Sequence, residues 1–242
     1  MVRQHVNPLS RIHQLARPLP PLVELFADPS LPLHLDIGSA RGRFLLAMAP
    51  LAPQRNHLGL EIRRPLVEAA EADRRRDGLT NLRFLYGNAN VNLPEWLALL
   101  GPGQLELVTL QFPDPWFKLR HRKRRVLQPA LLLAIAAALA PGRRLFLQSD
   151  VEGLITPMRQ LVEASGAFEL AGPEEGGPER NPLPVATERE AQVLAEGKPV
   201  HRSLYRRRAA PLPPLSELER HLDTRLEATG DGTDNRHDAA AD

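Results

Sequence analysis

The sequence predicts an α/β protein with a doubly wound, mostly parallel sheet. From Leu33 to Leu147, short apolar runs that are typical of buried strands alternate with segments of helical length. Strands that alternate with helices form βαβ units, and such units build a parallel sheet covered by helices on both faces. The length of 242 residues suits one large α/β domain.

The individual elements follow in order along the chain. Strand-like runs occupy residues 33–37, 57–62, 82–86, 105–111 and 144–148, and helical stretches occupy residues 43–49, 65–76, 93–100 and 129–140. Pro65 and Pro129 stand where the first turn of a helix tolerates proline, and Gly78 and Gly142 are predicted to close the preceding helices. A helix and a short strand are expected within 151–168, a loop over 171–184, a helix over 188–196 and a last strand over 201–208.

Composition and charge narrow the class of protein. Residues 1–30 are predicted to form a basic arm, residues 31–208 the α/β domain, and residues 209–242 an extension that is disordered from about residue 229. The absence of cysteine excludes disulfides and thiolate metal sites, and no metal site is predicted. No secretory signal and no membrane-spanning stretch is visible, which predicts a cytoplasmic protein. The net charge is only +2, but cations cluster at 118–125 and 202–208, where they would attract an anionic partner.

The first strand runs into a glycine-rich loop with a leading acid, Asp36-Ile37-Gly38-Ser39-Ala40-Arg41-Gly42. Small residues such as Gly38 and Gly42 let the backbone approach a ligand, and their spacing differs from the dinucleotide pattern G-x-G-x-x-G. Asp36 suits a ligand that carries an ammonium group. Glu61 ends the second strand, where a carboxylate accepts hydrogen bonds from both ribose hydroxyls. Asn88 ends the third strand at the height of an adenine edge, although a plain turn explains it slightly better.

The fourth strand ends in Phe112-Pro113-Asp114-Pro115-Trp116-Phe117-Lys118, and Leu119-Arg120-His121-Arg122-Lys123-Arg124-Arg125 follows directly. Two prolines hold Asp114 rigidly at a strand end. Trp116 is a ring on which a base could stack, although packing under the loop explains it at least as well. The cations are typical of phosphate contacts, and taken alone they suit a solvated helix start equally well. Acid, ring and cations together predict chemistry on a nucleic acid.

These motifs resemble those of the bacterial tRNA (guanine-N7-)-methyltransferases. The resemblance covers about residues 3–208. It rests on residues 3–9, 35–42, 59–61 and 87–89, and above all on the Phe-Pro-Asp-Pro-Trp motif with its trailing basic run. It implies a class I, Rossmann-like methyltransferase fold, S-adenosylmethionine as cofactor, and methylation of N7 of the variable-loop guanine, position 46, of tRNA.

The resemblance also implies roles for single residues. The family's cofactor-contacting positions fall on Asp36, Glu61, Asn88 and Asp114, and its proposed catalytic position also falls on Asp114. Its substrate-binding positions fall on Lys118, Asp150, Thr187, Glu188, Arg189 and Glu190, and its RNA-contacting stretch falls on Arg120, His121, Arg122, Lys123, Arg124 and Arg125. This sequence has Asp36 where many members have glutamate, Asn88 where many have aspartate, and Ala40 in the middle of the loop instead of glycine.

Three other functions would use part of this pattern. A dinucleotide-dependent oxidoreductase needs G-x-G-x-x-G, which the loop at Gly38–Gly42 does not have. A methyltransferase of proteins or small molecules would not need the cations at 118–125. A non-enzymatic RNA-binding protein would not need three acids at strand ends. The remaining alternative is a methyltransferase of another structured RNA. The sequence leaves both a monomer and a homodimer open.

Overall fold

The elements of the fold follow the order expected along the chain. The computed structural model describes residues 6–116, 119–172 and 180–220. Its α-helices are α1 (Arg11–Gln14), α2 (Leu22–Leu25), α3 (Arg43–Met48), α4 (Arg64–Arg76), α5 (Ala89–Leu97), α6 (Pro129–Ala138), α7 (Glu152–Ala164) and α8 (Glu188–Ala195). Its strands are β1 (Leu33–Ile37), β2 (Asn56–Glu61), β3 (Leu82–Tyr86), β4 (Leu105–Gln111), β5 (Leu139–Ser149), β6 (Phe168–Leu170) and β7 (His201–Arg207). Short 3-10 helices span Ala49–Leu51 and Leu119–Arg124.

The described strands form a seven-stranded sheet in the order β3-β2-β1-β4-β5-β7-β6. The first five strands of the chain are parallel, whereas β7 pairs antiparallel with both β5 and β6. The predicted doubly wound, mostly parallel sheet is therefore confirmed. The chain starts at β1, builds outward to β3 and returns to β4 on the other side of β1. Sheets of this kind bind ligands beyond the carboxyl ends of the strands where the strand order reverses, which here is between β1 and β4.

One predicted helix end is wrong. The helix expected over 129–140 ends at Ala138, and Gly142 does not close it but lies within β5 at a φ of +81°. Leu139 is already extended and pairs with Leu105 of β4, so strand pairing takes the residues that the local alanine-rich pattern assigned to the helix. The helix expected over 93–100 begins earlier, at Ala89, because the side chain of Asn88 caps it.

The residues of the predicted arm contribute to the main hydrophobic core. Leu19, Leu22, Leu25 and Phe26 are buried in the same cluster as side chains of β1 and α5. The boundaries expected at residues 30 and 208 remain predictions, and the tail from residue 229 lies outside the described residues. Within the described part of the chain, no helix combines the length and apolar character needed to cross a membrane.

Candidate active site

A cavity of about 230 Å³ opens at the carboxyl ends of β1, β2 and β4. The structure brings many of the predicted site residues to its walls, namely Asp36, Gly38, Glu61, Asn88, Asp114, Arg124, Thr187, Glu188 and Arg189. Gly42, Asp150 and Glu190 are not among the lining residues, and Lys118 lies outside the described part of the chain. The cavity sits at the point of strand reversal, where the topology places a ligand.

The two glycines of the first loop serve different purposes. Gly38 has a φ of +85°, and a Cβ at this position would meet no protein atom within 4 Å, so the glycine is required by the backbone conformation. Gly42 also has a positive φ, +73°, and a Cβ there would lie 2.4 Å from the Phe84 ring, so Gly42 is required both by the backbone and by the packing of the loop against β3. Gly38 lines the cavity, whereas Gly42 packs against Phe84 on the other side of the loop; contact of either glycine with a ligand stays a prediction.

Backbone strain concentrates around the cavity. Within the described residues, the non-glycine residues with positive φ are Ala40 at 49° and Phe112 at 48°, and both line the cavity. Ala40 is held there by a 2.8 Å hydrogen bond from its N–H to the Glu61 carboxylate. Phe112 donates its N–H to the Gln148 carbonyl oxygen at 2.8 Å and packs its ring against Val193 and Val200. Such conformations persist only where surrounding contacts enforce them, and they occur preferentially at functional sites.

The Asp36 carboxylate lies at the inner end of the cavity and is almost completely buried. Its Oδ1 accepts hydrogen bonds from the Thr109 hydroxyl at 2.6 Å and from the Gln111 amide at 3.3 Å. Burial raises the pKa of Asp36 to about 6, the two hydrogen bonds oppose this rise, and the charge of Glu61 adds to it. A buried carboxylate without a cationic partner in the described structure is suited to receive a cation from a ligand.

We expect Asp36→Asn to stabilise the fold at the expense of the site. Because the folded-state pKa is raised, ionised Asp36 lowers the free energy of unfolding above about pH 6, and this cost disappears as pH falls toward 4. Asparagine keeps an oxygen for Thr109 and Gln111 but carries no charge. The free energy of unfolding at pH 8 should rise by about 2 kcal/mol, and the gain should shrink at pH 5. Urea unfolding at both pH values measures the difference, and an equal gain at both would contradict the assignment.

The Glu61 carboxylate is held in a fixed orientation at the end of β2. One oxygen accepts the Ala40 N–H, and the other accepts the Arg63 N–H at 3.0 Å and its Nε–H at 2.9 Å. Burial disfavours the charged form of Arg63, but the hydrogen bonds to Glu61 and the charges of Glu61 and Asp114 outweigh it, so the Arg63 pKa is raised. Arg63 is thus hydrogen-bonded to Glu61 and lies within range of the charge of Asp114, a placement that the sequence did not predict.

The Asn88 side chain connects the cavity to the N-terminal segment. Its Nδ2 donates to the backbone carbonyls of Pro8 and His13, both at 3.1 Å, and its Oδ1 accepts the Asn90 N–H. Both amide hydrogens are therefore engaged within the protein, and Pro8 itself lines the cavity. In this arrangement Asn88 can reach a ligand only through the remaining lone pair of Oδ1.

Asp114 lies in the turn that follows Phe112 and faces the same cavity. The turn is closed by a 2.8 Å hydrogen bond from the Trp116 N–H to the Asp114 carbonyl oxygen. The Trp116 ring packs against the basic segment, with the Arg124 guanidinium 4.9 Å from its centroid and the His121 ring edge-on at 5.4 Å. Arg125 donates to the Trp116 carbonyl at 2.9 Å. The Trp116 ring thus packs against the basic segment of its own loop, and the residue also lines the cavity; stacking on a base stays a prediction.

The predicted RNA-contacting residues divide into two groups. Arg120, Arg122 and Lys123 are exposed, whereas His121, Arg124 and Arg125 are partly buried. The second group comprises the residues that contact Trp116, so these cations also hold the loop that carries Asp114.

Helix α8 forms one wall of the cavity and is anchored by ion pairs. Glu188 pairs with Arg43 at 2.9 Å in an exposed position, and Arg189 pairs with Asp150 at the end of β5. Glu190 is 1% exposed and points inward, where it accepts from the Arg202 guanidinium at 2.7 Å. Asp150 and Glu190 connect α8 to the sheet in this structure, and the substrate contacts expected of them stay predictions.

Thr187 and Glu190, at the start of α8, form only one of the two hydrogen bonds of a capping box. The Thr187 hydroxyl accepts the Glu190 N–H at 3.1 Å and caps the helix. In a full capping box the glutamate would reach back to the Thr187 N–H, but the Glu190 carboxylate is taken by Arg202, Asn181 and Gln148. Hydrogen bonds from residues outside α8 therefore replace the second hydrogen bond of the capping box.

The mostly parallel sheet and the cavity at its point of strand reversal define a Rossmann-like α/β protein with a ligand site at the carboxyl ends of its strands. The family model described as "Putative methyltransferase" matches residues 30–203. The tRNA (guanine-N(7)-)-methyltransferase of Synechococcus sp. (strain CC9311) is 62% identical over 221 residues, which cover 90% of this chain and 92% of the relative. That of Prochlorococcus marinus (strain MIT 9303) is 58% identical over 219 residues, which cover 90% and 93%. The chain belongs to the tRNA (guanine-N7)-methyltransferase family.

The chain is also similar to solved structures. The aminoglycoside resistance methyltransferase NpmB1 is 18% identical, with a TM-score of 0.49 and coverage of 77% of this chain and 90% of that chain. TrmN from Thermus thermophilus is 18% identical, with a TM-score of 0.47 and coverage of 77% and 47%.

Proposed function

We propose that this protein transfers the methyl group of S-adenosylmethionine to N7 of the variable-loop guanine, position 46, of tRNA in the bacterial cytoplasm. The observation that carries the proposal is the convergence of Asp36, Glu61 and Asp114, from the ends of three adjacent strands, on one cavity beside an exposed basic segment. The family to which the chain belongs supports the same reaction.

The cavity fits S-adenosylmethionine in charge and in hydrogen bonding. Asp36 offers a buried carboxylate to the ammonium group of the cofactor's amino acid part. Glu61 can accept hydrogen bonds from the ribose hydroxyls when its oxygens, which now accept from Arg63, are shared between Arg63 and the ribose. The Ser39 hydroxyl and the Asn90 side-chain oxygen are buried without a hydrogen-bond partner in the described structure, and both residues line the cavity. Buried polar atoms of this kind are normally satisfied, so a bound ligand can complete them. When bound, the cofactor supplies a methyl group activated by its sulfonium.

The chain's own residues have to align the guanine, since its N7 already carries an in-plane lone pair and no proton must leave before attack. Holding the methyl donor and the guanine N7 in line can lower the activation barrier by about 7–11 kcal/mol. We assign Asp114 to hydrogen bonding of the guanine N1–H and N2–H and to stabilising the positive charge that grows on the purine. The charge of Asp114 is one of the causes that raise the pKa of Arg63, so the two side chains lie within electrostatic range of each other.

The exposed cations Arg120, Arg122 and Lys123 are assigned to tRNA phosphates. His121, Arg124 and Arg125 can contact RNA as well, but their contacts with Trp116 give them a second role in holding the Asp114 loop. Thr187, Glu188 and Arg189 lie on the cavity wall, where they can contact the nucleotide that enters. Glu190 and Asp150 are assigned to holding α8 in place.

Mass spectrometry of nucleosides tests the proposed reaction. The protein is incubated with S-adenosylmethionine and a tRNA transcript that has guanine at position 46, and in parallel with a transcript that has adenine there. We expect 7-methylguanosine only from the first transcript. Equal methylation of both would place the target guanine elsewhere, and methylation of neither would overturn the proposal.

The division of the basic segment predicts two kinds of variant. Replacing Arg120, Arg122 or Lys123 by alanine should lower tRNA affinity and reduce the slope of log K against log salt by somewhat under one unit for each phosphate contact. Arg124→Ala should also slow methyl transfer at saturating tRNA, because it releases the Trp116 ring. Filter binding over a salt series measures the slope. Arg75→Ala, an exposed cation on α4, is the matched control, and an identical slope in all variants would mean that the segment is only solvated.

A further inference from the structure

A chain of polar side chains runs through the interior of the sheet from β2 to the cavity. The His57 and His34 Nδ1 atoms are 3.2 Å apart, His34 Nε2 is 3.0 Å from the Thr109 hydroxyl oxygen, and that oxygen is 2.6 Å from Asp36 Oδ1. His34, His57 and Thr109 are completely inaccessible to solvent. No step of the proposed reaction uses these three residues, yet their chain ends on the carboxylate that faces the cofactor.

The positions of the hydrogens follow from the acceptor at the end of the chain. Ionised Asp36 only accepts, so the Thr109 hydroxyl must donate to it. The Thr109 oxygen then accepts from His34, which places the hydrogen of His34 on Nε2 and leaves Nδ1 as an acceptor. His57 must therefore carry its hydrogen on Nδ1, and its Nε2 is an acceptor. His57 Nε2 is buried without a hydrogen-bond partner in the described structure, and an interaction with the Ala52 backbone opposes the lowering of the His57 pKa.

A proton on Oδ1 of Asp36, the oxygen that faces Thr109, reverses every hydrogen bond along this path. The Asp36 hydroxyl would donate to the Thr109 oxygen, Thr109 to His34 Nε2, and His34 Nδ1–H to His57 Nδ1. Both arrangements satisfy the three contacts, and they differ by one proton at Asp36 and by the tautomers of both histidines. The hydrogen-bonded path therefore has two states, and a cation beside Asp36 favours the state in which Asp36 is ionised.

We propose that Thr109, His34 and His57 are positioning residues that fix the Asp36 carboxylate in its ionised, cofactor-binding state and couple its protonation to the tautomers of the two histidines. The proposal rests on the proposed function, since it takes Asp36 as the partner of the cofactor's ammonium group. Three hydrogen bonds along one path carry the proposal.

Both histidines remain neutral at physiological pH, so the chain changes tautomers without taking up a charge. Burial lowers the pKa of His34 well below its usual value, and burial likewise lowers the pKa of His57 to about 4. The charged and polar groups that act on the chain from neighbouring elements are Arg55, Glu61, Glu106, Gln111 and Arg144.

The coupling predicts how cofactor affinity depends on pH. Because an ammonium ligand binds ionised Asp36, its affinity should be constant above about pH 6 and fall up to tenfold for each pH unit below it. Removing the Thr109 hydroxyl removes the largest hydrogen bond that opposes the raised pKa, so the midpoint should move upward. Thr109→Ser keeps the hydroxyl, so the pH midpoint of its cofactor binding should equal that of the wild type.

Calorimetric titration with S-adenosylhomocysteine, which keeps the ammonium group, tests this from pH 5 to 8 on the full chain. We expect the midpoint of Thr109→Val to lie about one pH unit or more above that of the wild type and of Thr109→Ser. An unchanged midpoint in Thr109→Val would overturn the proposal. Absence of binding to the wild-type protein at pH 8 would instead count against the proposed function.

A second measurement needs no variant and so does not depend on whether one folds. Histidine 15N chemical shifts in the wild-type protein report which ring nitrogen carries hydrogen. We expect Nε2–H for His34 and Nδ1–H for His57 at pH 8, and the opposite tautomers below the midpoint. The same tautomers at both pH values would contradict the two-state chain.

Discussion

Replacing Asp114 by alanine is expected to slow methyl transfer by about two orders of magnitude or more, the usual effect of removing a preorganised electrostatic partner. Binding of tRNA should change little, because phosphate contacts dominate affinity. The fold should persist, since Asp114 lies in the turn beyond β4 and belongs to no hydrophobic cluster of the described residues. Single-turnover rates at saturating cofactor and tRNA measure the effect.

Asp114→Asn separates charge from orientation. The asparagine oxygen can still accept a hydrogen bond from the guanine, but the negative charge is gone. If charge stabilisation dominates, the asparagine variant should be nearly as slow as alanine, and if orientation dominates it should recover part of the rate. Rates near wild type in both variants would move the catalytic role to another residue of the cavity.

Glu190→Ala is expected to lower the free energy of unfolding more than any other substitution proposed for this protein. The Arg202 side chain is about 5% exposed, and Glu190→Ala removes the buried carboxylate that lies 2.7 Å from its guanidinium. Breaking a buried pair by removing one partner costs about 3–5 kcal/mol of unfolding free energy. Urea denaturation of Glu190→Ala measures this cost, which should also lower methyl transfer because α8 loses its anchor.

The matched control lies two residues earlier on the same helix. Glu188 pairs with Arg43, but both side chains are about 60% exposed, so Glu188→Ala should cost less than about 1 kcal/mol. In a double variant, Glu190→Leu with Arg202→Leu, stability should recover in part, because no unpaired charge remains. Equal losses for Glu190→Ala and Glu188→Ala would show that the buried pair is not what holds α8.

The ends of strands were predictable because they depend on local sequence. Asp36, Glu61 and Asp114 each follow an apolar run, and parallel strands bring their carboxyl ends to one edge of the sheet. These three acids therefore meet at the cavity as the sequence suggested. Gln111, the last residue of β4, had the same signal and was overlooked; its side chain reaches Asp36.

The partners of those acids were not predictable from local sequence. His34, His57 and Thr109 are single polar residues within apolar strands, and no spacing along the chain relates them. They meet because β1 lies between β2 and β4 in a register that sets His34 beside His57 and Asp36 beside Thr109. Register is fixed by the packing of whole strands, so it cannot be derived from any one of them.

The sequence by itself determined the order of the elements, the acids at the strand ends and the family, since all three are written in short, contiguous patterns. Only the tertiary structure decided what each polar side chain bonds to. Glu190 turns from its local capping partner to Arg202, and Asn88 holds the N-terminal segment with both of its amide hydrogens. A buried polar group must find a hydrogen-bond partner, and the nearest available one is set by strands and helices that are distant in sequence.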